Sequence, residues 1–145
     1  MYVLLTKKRI AIVLAVTLVG LILIGQFLSV SANDIDISTN EKRVDYIHTL
    51  GINLQSDNFT QKEVTIPETF NKVYNNYNDL QQKAGFNLLD YRGKSVLIYT
   101  YNIDSQTVVN LITHKGKLIG GDIASLKIDG GMTALKEIEN GKRTF

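Results

Sequence analysis

The sequence predicts an α+β domain, with an antiparallel sheet that ends in a C-terminal three-stranded meander and two main helices packed on one face, preceded by one N-terminal transmembrane helix. Three observations carry this reading. The run from Ile10 to Leu28 is apolar except for Thr17 and Gln26. Two later stretches, near 38–50 and 67–84, combine helix-capping residues with apolar residues at helical spacing. From Ser95 to Ser125 the chain is rich in Val, Ile, Leu, Tyr and Thr, interrupted only by short turns.

The 19 positions of the N-terminal run reach about 28 Å as a helix, close to the hydrocarbon thickness of a bilayer. Lys7, Lys8 and Arg9 precede the run and no comparable cluster follows it, which predicts a cytoplasmic N-terminus at 1–9, a bilayer-embedded anchor from Ile10 to Leu28, and everything after about Ser29 outside the cell membrane. A secretory signal peptide is the other reading, because Val30-Ser31-Ala32 offers a small-residue cleavage site after Ala32. Both readings export the domain. A short linker at 29–37 then leads to a domain at 38–145.

Ser38-Thr39-Asn40-Glu41 reads as a capping box, followed by a helix to about Leu50 with Val44, Ile47 and Leu50 on one face and Gly51 as its left-handed terminator. Ile52-Asn53-Leu54 and Glu63-Val64-Thr65-Ile66 alternate, so 52–66 is expected to hold one or two strand pieces before Pro67. The second helix is the strongest local signal. Phe70, Val73, Tyr74, Tyr77, Leu80 and Ala84 recur at helical intervals, with Gly85 as C-cap and Phe86 placed to fold back on Leu80. Val44, Ile47, Leu50, Phe70, Val73, Tyr77 and Leu80 are expected to face the sheet.

Residues 95–103, 107–113 and 118–125 read as three successive strands. Asp104-Ser105-Gln106 and His114-Lys115-Gly116-Lys117 have the length of hairpin turns, which makes the three strands an antiparallel meander.

Composition excludes several chemistries. With no cysteine there is no disulfide, thiolate metal site, cysteine nucleophile or lipidated cysteine. Of the 16 basic residues three are Lys7, Lys8 and Arg9, so the rest of the chain carries 13 against 14 acidic residues and lacks the basic footprint of a nucleic-acid binder. Asp34, Asp36, Ser38 and Asp45 approximate calcium-loop spacing, but Thr39 replaces the required glycine, so this stretch reads as solvated linker. His48 and His114 have no second ligand at metal spacing. No metal or cofactor is implied.

Gly120-Gly121-Asp122 is read chiefly as a bulge or close strand packing with Asp122 satisfied by a neighbour, and secondarily as a polar groove at a strand end. Together with the Asp129-Gly130-Gly131 turn it supplies the candidate binding residues Gly120, Gly121, Asp122 and Asp129. Tyr74, Tyr77, Tyr99 and Tyr101 form the next candidate, an aromatic patch for a peptide or sugar, against the alternative that all four serve the core.

Several runs together resemble one family, catalogued as domain of unknown function 4830, which comprises extracytoplasmic proteins of Firmicutes. The runs are Arg43-Val44-Asp45-Tyr46-Ile47 through Leu50-Gly51, Val64-Thr65-Ile66-Pro67-Glu68 with Phe70, Val73-Tyr74, Tyr77-Asn78 and Leu80-Gln81. They continue through Gly85-Phe86, Leu88, Tyr91-Arg92-Gly93-Lys94, Tyr99-Thr100-Tyr101 and Gly120-Gly121-Asp122-Ile123, so the resemblance covers roughly 40–135. It implies an apolar N-terminal segment like the one here, and brings no activity, ligand or catalytic residue set. Two departures are Ile52, where an aromatic residue is expected, and the short loop at 104–106.

The expected function is a noncatalytic binding or interaction domain at the outer surface of the membrane, with an envelope protein or peptide as partner. The alternatives are a secreted form of the same domain, or a small hydrolase or lyase using Asp122 with His114 or Asp129.

Overall fold

The computed structural model describes residues 34–135. The basic N-terminus, the expected membrane span at 10–28 and the linker up to residue 33 lie outside the described residues, as does 136–145. Among the described residues no helix is long and apolar enough to cross a membrane.

The expected linker ends earlier than residue 37. Ile35 and Ile37 flank Asp36 in an extended stretch whose backbone joins the sheet margin: the Ile37 amide donates to the Gly116 carbonyl at 2.9 Å and the Leu118 amide to the Ile35 carbonyl at 2.9 Å. Ile37 is buried, so this stretch belongs to the core. Asp34 pairs with Lys117 at 2.9 Å and Asp36 with Lys42, which fixes the segment against both the β-hairpin and the first helix.

Helix α1 spans Asn40–Thr49. Its cap is Thr39, one residue later than expected, whose hydroxyl accepts from the Lys42 amide at 3.4 Å. Ser38 and Thr39 carry the same capping hydroxyl, and sequence alone does not choose between them. The helix ends as expected at Gly51, with φ of 73°; Gly51 donates to the His48 carbonyl and Ile52 to that of Ile47. This double closure turns Ile52 inward beside Ile47, so an aliphatic side chain serves where an aromatic one was expected.

Five strands follow the order β1-β2-β3-β4-β5, every neighbouring pair antiparallel: β1 Phe59–Thr65, β2 Ser95–Asn102, β3 Thr107–His114, β4 Lys117–Ser125 and β5 Met132–Ala134. The expected meander is β2 to β4. Between β3 and β4 the turn is only Lys115 and Gly116, both left-handed at φ 51° and 77°, a geometry whose twist matches that of the flanking strands. Of the strand pieces expected at 52–66 only β1 forms, and β5 is an addition.

The pleat sorts side chains between two faces. Leu97, Tyr99 and Tyr101 share one face with Val109, Leu111 and Ile123, while Val96 and Ile98 share the other with Ile112, Asn110 and Asp122. Because β3 is apolar on both sides, both faces need a cover. The helices therefore do not both lie on one face as expected. Helix α1 gives Val44 and Ile47 to the core on the first face. Helix α2, Lys72–Lys83, gives Tyr77 to the core on the second face, while Leu80 and, just beyond the helix, Ala84 and Phe86 join the first cluster together with Ala134 and Leu135 of the β5 margin.

Candidate functional site

Helix α2 starts at Lys72 rather than near Pro67, because the Asn71 side chain accepts from the Tyr74 amide at 3.0 Å and caps it there. Phe70 stays outside the helix, its ring 5.5 Å from that of Tyr74. This late start rotates the buried stripe. The fully buried residues within α2 are Asn78 and Gln81, whereas Val73, expected to face the sheet, is 72% exposed and Tyr74 is also exposed.

Each buried amide has structural work. Asn78 Oδ1 accepts from the Leu88 amide at 2.7 Å, and its Nδ2 donates to Asn87 Oδ1 at 3.1 Å, holding the short 3-10 turn Leu88–Tyr91 against the helix. Gln81 Oε1 accepts from the Gly121 amide at 2.7 Å. Packing around this contact accounts for the glycine pair. A β-carbon on Gly120 would lie 2.9 Å from Gln81 Oε1, and one on Gly121 would lie 2.4 Å from the Asn110 carbonyl oxygen and 2.7 Å from Leu135 Cδ1. Close packing against backbone demands glycine at Gly121, and at Gly120 a β-carbon would push Gln81 from its bond to the Gly121 amide.

Asp122 is buried beside them and is held by neighbours. Tyr77 donates its hydroxyl to Oδ2 at 2.5 Å, Asn110 Nδ2 donates to Oδ1 at 2.9 Å, and Thr100 donates to Asn110 Oδ1 at 2.6 Å. Burial pushes the Asp122 carboxyl above its usual range, opposed by the hydrogen bonds from Tyr77 and Asn110. Burial, and then the Asp122 charge, push the Tyr77 hydroxyl far up.

The candidate residues are therefore divided. Gly120, Gly121 and Asp122 are interior, while Asp129 is exposed on the loop between β4 and β5. There Asp129 lines a polar cleft of about 420 Å³ with Asp104, Gln106 and Lys127. His114 ends β3, four positions beyond the Asn110 that faces Asp122, and its Nδ1 lies 3.0 Å from the Ser95 carbonyl oxygen. Asp122 is thus not brought together with His114 or Asp129.

The four tyrosines are divided as well. Tyr99 and Tyr101 belong to the first face, where Arg43 is buried against them: its guanidinium lies 3.8 Å from the Tyr99 ring centre, and its Nε donates to the Tyr101 hydroxyl at 2.8 Å. Arg43 Nη1 also donates to the Ile37 and Ser38 carbonyls, tying the N-terminal stretch to the sheet. These interactions account for Tyr99 and Tyr101 without a ligand.

Tyr74 and Tyr77 instead flank an open apolar groove of about 380 Å³ on the second face. Its sheet side is made by Val64, Ile66, Val96, Ile98 and Ile112, and its helix side by Val73, Tyr74 and Tyr77. Val73 stands on the rim of this concave apolar floor, and an apolar side chain this exposed stabilises the free domain little. At the base, Tyr77 has its hydroxyl directed to Asp122 and its ring at the groove, so the buried polar network fixes one wall. Sequence periodicity identified Val73 and Tyr74 as apolar positions but did not separate a groove wall from a core contact.

Strands β1 to β3, most of β4, α2 and the groove fall within residues 46–123, which match the family described as Domain of unknown function (DUF4830). That match covers more than half of the chain, and the chain belongs to this family. No curated protein and no solved structure matches.

Proposed function

We propose that this member of the domain-of-unknown-function 4830 family is a noncatalytic binding module whose recognition surface is the groove between α2 and the sheet. The single observation that carries the proposal is the exposure of Val73 and Tyr74 along an apolar cleft that the chain's own core leaves open. A cleft of this composition takes an apolar side chain, since apart from Thr65 and the two tyrosines its lining is aliphatic.

The groove walls carry methyl groups, so methyl NMR of the full chain provides a test. Adding N-acetyl-leucine methylamide at millimolar concentration is expected to shift Val64, Val73, Ile98 and Ile112 and to leave Val109 and Ile123, on the first face, unmoved. Unchanged groove methyls overturn the proposal.

In the same proposal the module is held outside the cell membrane by Ile10 to Leu28, single-pass, with the N-terminus cytoplasmic, in a Gram-positive envelope. Its support is the apolar run, the preceding Lys7-Lys8-Arg9 cluster and the family resemblance. Protease added to intact protoplasts is expected to degrade the region after Ser29 while the first nine residues stay shielded. Full protection of the domain overturns this orientation, and a mature chain beginning at Asn33 identifies the secreted form.

A further inference from the structure

We infer that the groove binds an extended segment of another polypeptide that adds as a sixth strand beside β1, placing a bulky aliphatic side chain in the groove and an acidic side chain two positions away over Lys62. The inference rests on the groove reading above and adds the class of ligand to it.

The edge of β1 supplies the backbone half of the site. The Ile66 amide donates to the Lys94 carbonyl and the Ile66 carbonyl accepts from the Gly93 amide, so even-numbered residues of this stretch direct their backbone groups toward β2. By alternation Gln61, Glu63 and Thr65 direct theirs away from the sheet, and among the described residues no further strand pairs with them. An incoming strand thus meets three unpaired amides and carbonyls in a row.

Side chains supply the other half. Lys62, Val64 and Ile66 alternate with those three residues and share the groove face, and Val64 and Ile66 line the groove itself. A residue of an added strand that sits opposite Val64 therefore projects toward Val73 and Tyr74. Its neighbour two positions along sits opposite Lys62, an exposed cation for which no ion-pair partner occurs among the described residues. The complement of Lys62 is a carboxylate.

The charge pattern also argues against a second copy of this chain. Antiparallel pairing of two β1 strands places same-face residues opposite one another, and the two central registers set Lys62 against Lys62 or Glu63 against Glu63. A different polypeptide avoids that repulsion and satisfies Lys62.

The test uses the full chain and two synthetic peptides, threonine-rich and blocked at both ends, that present Leu-Thr-Glu or Glu-Thr-Leu at their centre. At least one is expected to bind and to slow hydrogen exchange at the Gln61, Glu63 and Thr65 amides. Methylating the alternate peptide nitrogens that face β1 is expected to weaken binding about tenfold or more, and replacing glutamate by lysine about threefold or more. Lys62→Glu is expected to reverse that charge preference. Binding that is lost with Val73→Glu yet leaves the three amides and the N-methylated peptide unaffected overturns strand addition and keeps the groove. Binding indifferent to Val73→Glu overturns the groove reading. Failure of both peptides at millimolar concentration overturns strand addition, whatever the leucine probe shows.

Discussion

Helix α1 buries Val44 and Ile47 and compensates its one inward charge, Arg43, with a tyrosine ring, a tyrosine hydroxyl and two carbonyls. Helix α2 buries Asn78 and Gln81 and leaves Val73 exposed. Both have helical apolar spacing, so the difference comes from what each meets. Helix α1 lies on a floor of apolar side chains, where methyl groups fit. Helix α2 lies against Gly120 and Gly121, which bring a β4 amide within reach of Gln81, and against the start of the 3-10 turn, whose Leu88 amide needs Asn78. Anchoring α2 by amides frees its apolar residues to line a cleft.

The largest effect expected from this contrast is on α1. Ile47→Ala removes a fully buried side chain and should lower stability by about 2 to 5 kcal/mol, read as a shift of the urea midpoint at constant slope. A shift equivalent to less than about 1 kcal/mol would put the α1 contact in the wrong place.

Next comes Gln81→Ala, expected to cost about 1 to 3 kcal/mol because the buried Gly121 amide loses its acceptor. Gln81 Nε2 is itself buried without a partner, so removing it offsets part of the loss. Leu80→Ala should cost less than Ile47→Ala, since Leu80 is only half-buried. A larger loss at Leu80 than at Ile47 would return α2 to ordinary apolar packing.

A smaller contrast is electrostatic and involves two aspartates whose pKa values are shifted in opposite directions. Asp122, raised by burial, keeps its proton in the folded chain over a range where the unfolded chain has lost it. Its contribution to stability therefore falls as pH rises from about 4 through the raised value, then levels. Asp36, exposed and held below the usual carboxylate range by Lys42 and Ser38, contributes stability above its unfolded value that is lost as pH falls. Urea titrations across this range should show Asp122→Asn abolishing the decline toward neutral pH, and Asp36→Asn abolishing part of the loss in acid. An identical pH profile for Asp122→Asn and the parent would show that the buried carboxyl does not titrate as its surroundings require.

What the sequence made legible follows the same division. Strands β2 to β4 and the glycine ends of both helices were readable because alternation, a two-residue turn and a left-handed terminator are local properties. The start of α2 was not, since Phe70 falls on the helical period while Asn71 supplies the cap. Strand β5 has three residues, too few to show a period. Gly120, Gly121 and Asp122 were recognisable as special, but their partners Gln81, Leu135, Tyr77 and Asn110 come from distant parts of the chain. The groove was hidden for the opposite reason: Val73 and Tyr74 have the residue types of a core, and only the position of α2 on the sheet exposes them.

The most direct measurement is therefore the paired effect of Val73→Glu on stability and on binding of the leucine probe, both in the full chain. Stability, read from the urea midpoint, is expected to be unchanged to within about 0.5 kcal/mol, together with loss of the probe-induced shifts at Val64, Ile98 and Ile112. Shifts that persist in a folded Val73→Glu chain, or a loss of stability comparable to that of Ile47→Ala, would contradict this expectation.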